Sequence, residues 1–317
     1  MRGPKQAANT IAAARDIAIG CHVNPDGDAI GSLLSLGIGL EELGKRVYMV
    51  SQDGVPKKYR HLPGAERIMK RLGENVDLAI TVDCSTPEML GTVLNSFKKA
   101  KTILEIDHHE TRETFGDISW VEPAAAAVGE QIYILLKQMK IKITRDIAQN
   151  ILTSLIVETS SFRLPNVRPF TFKVCAELAK TGVDFYKLVD TIFWSHPREV
   201  AVLSGICLSR CQFQEKGKLA WSVIRKKDFE KVKGKDEDVD PVADEIRAIK
   251  GVKIAILFRE KSKELLRVSL RSKGDINVAH LAAIYGGGGH ADVAGCRIPN
   301  KTKVIKRMLA RAKKLLR

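Results

Sequence analysis

Short apolar runs alternate with longer amphipathic ones through the first half of the chain, and three of the short runs end in acids or histidines. Residues 16–21 alternate Ile17, Ile19 and Cys21 with small residues between, the pattern of a strand buried in a parallel sheet. A helix over 29–43 follows, carrying Leu33, Leu34, Leu36, Ile38, Leu40 and Leu43, with Gly44 placed to end it. Strands are predicted at 46–51, 76–82 and 102–106, and a helix over 87–97 opens on Pro87. Helices are predicted over 124–139 and 144–159, the second capped by Thr144, then over 168–180, 185–195 and 197–208. Near 212 the pattern changes. A strand at 219–224, a charged loop or frayed helix end at 228–239, a helix at 240–249, and paired strands at 252–258 and 265–270 precede a basic helix over 301–317. The expectation is α/β: a parallel-sheet N-terminal domain over 1–190, a helical linker over 191–211, and a smaller α/β domain over 212–317.

The polar residues at the strand ends carry the chemistry. His22, Asp26 and Asp28 follow the first strand, Asp83 the third, and Asp107, His108 and His109 the fourth. Open α/β sheets bind ligands at the carboxyl ends of their strands, so these side chains share one edge. Mixed carboxylate and imidazole donors suit a divalent ion such as Mn²⁺, Mg²⁺ or Zn²⁺. Taken alone, the first cluster reads equally well as a helix cap at Asp28 and a turn over 24–27. Three such clusters are hard to attribute to capping. Glu158, at the end of a very apolar helix, is a candidate further ligand, because a buried carboxylate needs a compensating cation or hydrogen bonds.

In the second domain four glycines, Gly286 to Gly289, run into His290. They could present bare backbone N–H groups to a phosphate or base, although a flexible loop has the same composition. The basic segment from Arg267 to Lys273 favours a surface that grips a nucleotide.

Composition adds three constraints. A chain of 317 residues suits two domains. No apolar run is long enough for a membrane span, and the first ten residues lack the apolar centre of a signal peptide. Six scattered cysteines do not make a disulfide framework; Cys207 and Cys211 read as small hydrophobes on one helix face. A cytoplasmic location follows as the expectation. The net charge of +15 points to polyanionic partners, although the run 301–317 supplies much of it and could be only a solvated face.

The motifs together, His22-x3-Asp26-Gly27-Asp28, Asp83 after a strand, Asp107-His108-His109, and the glycine run with Ala294-Gly295 downstream, resemble the DHH phosphoesterases that carry a C-terminal DHHA1 domain. Domain order, size, Ser161-Phe162-Arg163 and Ser269-Leu270-Arg271-Ser272 are most similar to the bacterial nanoRNases. The resemblance spans essentially the whole chain. It implies two divalent ions, Mn²⁺ first and Mg²⁺ or Co²⁺ as alternatives. One would be held by His22, Asp26 and Asp83, the other by Asp28, Asp83, His108 and Glu158, with Asp83 bridging. His109 would face the substrate phosphate, and Asp107 would orient a histidine. Arg163, Arg271, Gly287, Gly288, Gly289 and His290 would hold the nucleotide.

The implied activity is hydrolysis of oligoribonucleotides a few nucleotides long, and of adenosine 3′,5′-bisphosphate (pAp) to AMP and phosphate. Partners would be short RNA or nucleotides and no membrane; a homodimer is an option that no local feature identifies. One departure stands out: the family's fourth motif carries aspartate, and this chain has Glu158, longer by one C–C bond of about 1.5 Å. The alternatives are a cyclic or linear dinucleotide phosphodiesterase (c-di-AMP, pApA, pGpG), which shares every motif, and a weakly catalytic nucleotide-binding regulator.

Overall fold

The computed structural model describes residues 3–289 and 291–316, which divide into two compact units, 1–195 and 196–317. The first unit runs α1 (Pro4–Ala13), β1 (Asp16–Cys21), α2 (Gly27–Glu42), β2 (Arg46–Val50), β3 (Leu78–Val82), α3 (Leu94–Phe97), β4 (Thr102–Asp107), β5 (Ile118–Val121), α4 (Val128–Gln138), α5 (Arg145–Glu158), α6 (Pro169–Ala179) and α7 (Phe185–Val189). Its five strands form one parallel sheet in the order β2-β1-β3-β4-β5.

Both faces of that sheet are covered, which is why its strands read as apolar runs rather than alternations. Ile17, Ile19, Ile80 and Ile106 pack with Leu33, Leu36, Ile151 and Leu155 on one side. Ala18, Val50, Ala79 and Phe97 form a smaller cluster on the other. Helices α2 and α5 pack closely because Gly31 faces the chain at Asn150 and Ser154; a Cβ there would stand 3.0 Å from the Ser154 nitrogen and closer still to the Asn150 carbonyl.

Local chemistry explains where this unit departs from its sequence pattern. The helix expected over 87–97 is a 3₁₀ stretch over Pro87–Val93 followed by the single turn α3, broken at Gly91, where φ is 57°. The Gln52 amide oxygen lies where a Gly91 side chain would be and accepts the Thr92 N–H at 2.6 Å. The helix expected from 124 starts at Val128, because Ala127 is extended. The helical reading of 185–195 resolves into α7 and a π-helical turn over Asp190–Trp194. Neither α1 nor the short edge strand β5 is prominent in the sequence pattern.

The second unit contains α8 (Arg198–Ser209), β6 (Gln212–Gln214), β7 (Leu219–Ile224), α9 (Lys226–Val232), α10 (Val242–Ala248), β8 (Ile254–Glu260), β9 (Leu265–Ser272), α11 (Ala279–Ala283), β10 (Gly288–Gly289), β11 (Val293–Pro299) and α12 (Thr302–Lys314). Its six-stranded mixed sheet runs β10-β11-β9-β8-β7-β6. Leu203, Val242 and Ile246 pack with Ala255 and Leu257 in one cluster; Leu281, Met308 and Leu309 pack with Val268 and Ile298 in another. The basic helix is therefore more than a solvated face: α12 buries Met308, Leu309 and Ala312. Cys207 is buried on α8, whereas Cys211 lies beyond that helix and packs against the same cluster. Among the described residues no helix is long and apolar enough to cross a membrane.

Candidate metal centre and nucleotide cavity

The sheet order places the acids together. The chain leaves β1 for β2 on one side and returns to β3 on the other, so β1 and β3 flank a topological switch point, where open sheets bind ligands. The registers bring the ends level: Cys21 pairs with Val82, and Val82 with Ile106. His22, Asp83 and Asp107 each stand one residue beyond that row. Asp83 holds φ at 58°, a left-handed conformation that non-glycine residues adopt at some cost, at the point where its carboxylate turns into the cluster.

Three overlapping groups have ligand atoms within 4.8 Å of one another: His22, Asp26 and Asp83; Asp83, His108 and His109; and Asp28, His108 and Glu158. The His22 Nε2 lies 3.6 Å from Asp83 Oδ2 and 3.9 Å from Asp26 Oδ1. The His108 Nε2 lies 3.7 Å from Asp28 Oδ2, 3.8 Å from Asp83 Oδ1 and 3.9 Å from Glu158 Oε1. These spacings are too long for direct hydrogen bonds. Asp83 faces both histidines, one through each oxygen.

The histidines are oriented from behind. The His22 Nδ1 meets the Val23 carbonyl at 2.8 Å, and the His108 Nδ1 meets the Ala125 carbonyl at 3.2 Å. A carbonyl only accepts, so each Nδ1 carries a proton and each Nε2 is the ring atom turned to the cluster. The His109 Nδ1 contacts Asp107 Oδ1 at 2.7 Å, while Arg112 donates to the other Asp107 oxygen at 3.1 Å. Arg112 also donates to the fully buried Glu105 at 2.6 Å. Arg112 and Glu105 belong to no motif read from the sequence. A charged pair in strand and loop without special spacing leaves no local signal.

Capping and ligation coincide in the first cluster. The cap of α2 is Asp26 rather than Asp28: its Oδ1 accepts the N–H groups of Asp28 and Ala29 at 2.9 and 3.1 Å. Asp28 is fully buried and accepts from Ser154 Oγ at 2.7 Å, Ser32 Oγ at 2.9 Å and the Val128 N–H at 2.9 Å. Burial, with the charge of Asp83 added, pushes the Asp28 pKa up to about 6. Burial opposes ionisation of Asp26 as well, but His22 and the two N–H groups hold its carboxyl down at about 2. Burial also disfavours a charged His22, yet Asp26 and Asp83 outweigh it and raise that imidazole to about 12.

An acid-rich pocket that pulls a proton onto its own histidine is short of positive charge. Its oxygen and nitrogen donors fit a hard or borderline divalent cation. Cys21 and Cys84 lie buried nearby, their thiols raised by burial, and neither belongs to the three ligand groups.

The second unit has its own basic depression, a cavity of about 700 Å³ whose lining includes Arg259, Arg267, Arg271, Gly288, Gly289 and Arg297. Arg271 is held by both oxygens of Asp244, each 3.1 Å from Nε. The glycines differ from their sequence reading. The N–H groups of Gly286 and Gly287 donate to the Ala283 and Ala282 carbonyls at 3.0 Å, and Gly288 and Gly289 pair with β11, so the run is not a bare loop. Gly287 does not line the cavity; a Cβ there would meet the Cys296 Cβ at 2.5 Å. His290 lies outside the described residues. Arg163, in the first unit, donates instead to the Ser160 carbonyl at 2.6 Å and lies over the Phe193 ring at 5.8 Å.

Residues 16–157 match the DHH family N-terminal domain, and residues 215–317 match the DHHA1 domain. The chain belongs to the DHH–DHHA1 phosphoesterases, a family of phosphoric-ester hydrolases. It is 31% identical, over 89% of its length and 84% of the relative's, to the bifunctional oligoribonuclease and PAP phosphatase NrnA of Thermus thermophilus. The protein of the same name from Bacillus subtilis is 28% identical over 87% of each chain. Among solved structures, an exopolyphosphatase-related protein from Bacteroides fragilis superposes with a TM-score of 0.91 at 23% identity, covering 99% of this chain and 97% of its own. The exonuclease RecJ bound to manganese shares the fold at a TM-score of 0.56 and 15% identity, covering 100% of this chain and 95% of its own.

Proposed function

We propose that this phosphoesterase uses two divalent ions, Mn²⁺ first, to hydrolyse short oligoribonucleotides to mononucleotides and pAp to AMP and phosphate. The observation that carries the reading is Asp83, whose two oxygens face His22 and His108 and so join two ligand groups. His22, Asp26 and Asp83 would hold one ion; Asp28, Asp83, His108 and Glu158 would hold the other. Bound ions of this kind lower the pKa of water and offset charge on the attacking and leaving oxygens. The names of the Thermus thermophilus and Bacillus subtilis relatives support this choice of substrates.

The side chains supply the rest. Asp107, held by Arg112, fixes the His109 ring and favours its charged form, so that His109 can neutralise a phosphate oxygen. Arg271 and the neighbouring arginines of the second unit would recognise phosphate or base.

The test is release of mononucleotide and phosphate from an RNA trimer and from pAp by the purified chain with Mn²⁺. Turnover of both is expected, with trimers degraded faster than 50-mers, and none by Asp83→Ala. Equal rates on 50-mers overturn the preference for short substrates, and turnover by Asp83→Ala overturns the two-ion site. Faster hydrolysis of pApA or c-di-AMP would assign the chain to dinucleotides. Tight binding of pAp without turnover would make it a regulator.

A further inference from the structure

Tyr59 belongs to none of the motifs above. It comes from a 3₁₀ turn over Lys57–Tyr59 in the connection between β2 and β3, and its side chain is fully buried in the first unit's core. Its phenol oxygen lies against the turn that carries the first ligands: a Cβ on Gly27 would stand 3.1 Å from Oη and 2.8 Å or less from the side chain of Val157, the residue preceding Glu158.

The buried hydroxyl meets no hydrogen-bond partner among the described residues. A buried hydroxyl left without a partner destabilises the fold, so a core serving only packing would favour phenylalanine here. The Gly27 N–H faces the oxygen but is a donor, and leaves the hydroxyl proton without an acceptor. Burial and the charges of Asp26 and Glu158 hold the phenol well above its ordinary pKa, so it keeps that proton. Asp26 and Glu158 come from different ligand groups.

We propose that Tyr59 is a positioning residue for the metal centre, its hydroxyl donating to the Asp26 carboxylate when a divalent ion is bound. The inference rests on the two-ion reading. Without an ion, Asp26 already accepts two backbone N–H groups and leans toward His22. Drawing that carboxylate onto an ion gives the hydroxyl its acceptor, as outer hydrogen bonds commonly orient metal-bound carboxylates.

The test compares the whole chain with Tyr59→Phe by Mn²⁺ calorimetry and by unfolding temperature with EDTA or with Mn²⁺. The variant is expected to melt in EDTA at the wild-type temperature or above, because the unpaired hydroxyl is gone. Its Mn²⁺ affinity should fall roughly tenfold or more, the usual effect of losing an outer partner, and its thermal gain from Mn²⁺ should shrink. Unchanged affinity overturns the proposal, as does a loss of stability in EDTA with affinity intact, which marks a packing role. If the wild-type chain binds no Mn²⁺, the two-ion reading fails and this proposal falls with it, an outcome distinct from the other two.

Discussion

The Asp107 carboxylate is shared between His109, at 2.7 Å, and Arg112, at 3.1 Å, and Arg112 donates through Nη2 to the fully buried Glu105. Glu105 in turn accepts from Ser119 and from the Phe115 N–H at 3.1 Å. The chain of contacts runs from the sheet interior to the imidazole proposed to meet substrate. Its cation compensates two buried carboxylates at once.

Arg112→Met therefore leaves Glu105 and Asp107 short of a counterion. Removing one partner of a buried pair typically costs about 3–5 kcal/mol, and urea unfolding of the variant is expected to show a loss of that size. A loss below roughly 1 kcal/mol would mean that the pair behaves like an exposed one.

Gly31→Ala tests the close approach of α2 and α5. The added methyl would meet backbone at Asn150 and Ser154, which cannot swing aside as a side-chain tip can. Overpacking of this kind costs about 1–3 kcal/mol. Because α2 begins at the Asp26 cap and α5 ends at Glu158, Mn²⁺ affinity should fall together with the unfolding temperature. Preserved affinity in a destabilised variant would separate the helix contact from the site.

Glu158 stands where the family pattern has aspartate, yet its Oε1 reaches the group formed with Asp28 and His108. Glu158→Gln removes the negative ligand and keeps the length. It should weaken Mn²⁺ binding at least roughly tenfold, no less than the loss of an outer-sphere partner, whereas Glu158→Asp should retain binding. Calorimetry on the two variants decides whether charge or reach matters at this position.

Asp77 gives a pH dependence outside the site. Lys101, at 2.7 Å, and then the N–H groups of Asp16 and Arg15 lower its carboxyl to about 2. A folded pKa below the unfolded one, about 3.9, gives stability that is complete above about pH 4 and lost as pH falls through about 2. Asp77→Asn should melt below wild type near neutral pH, with the gap already closing by about pH 3. A gap of constant size would assign the loss to geometry rather than charge.

The sequence by itself determined four of the first unit's five strands, most of its longer helices and the polar residues that stand at the strand ends. Buried parallel strands are continuous apolar runs, and the polar residue that ends each run sits at the sheet's ligand-binding edge, so His22, Asp26, Asp28, Asp83, His108 and Glu158 could be named from local pattern and family resemblance. Tertiary structure decided what those residues face. The placement of β1 beside β3 brings Asp83 between His22 and His108, and strand order is a non-local pairing that periodicity does not encode. The same holds for Arg112 on Glu105 and for Tyr59 against Gly27, ordinary residue types whose burial alone makes them informative. At the glycine run the string suggested open N–H groups, but α11 and β11 take up its backbone, a tertiary pairing that the local string does not encode. Side-chain identity was legible residue by residue; which groups remain available for chemistry depended on the whole fold.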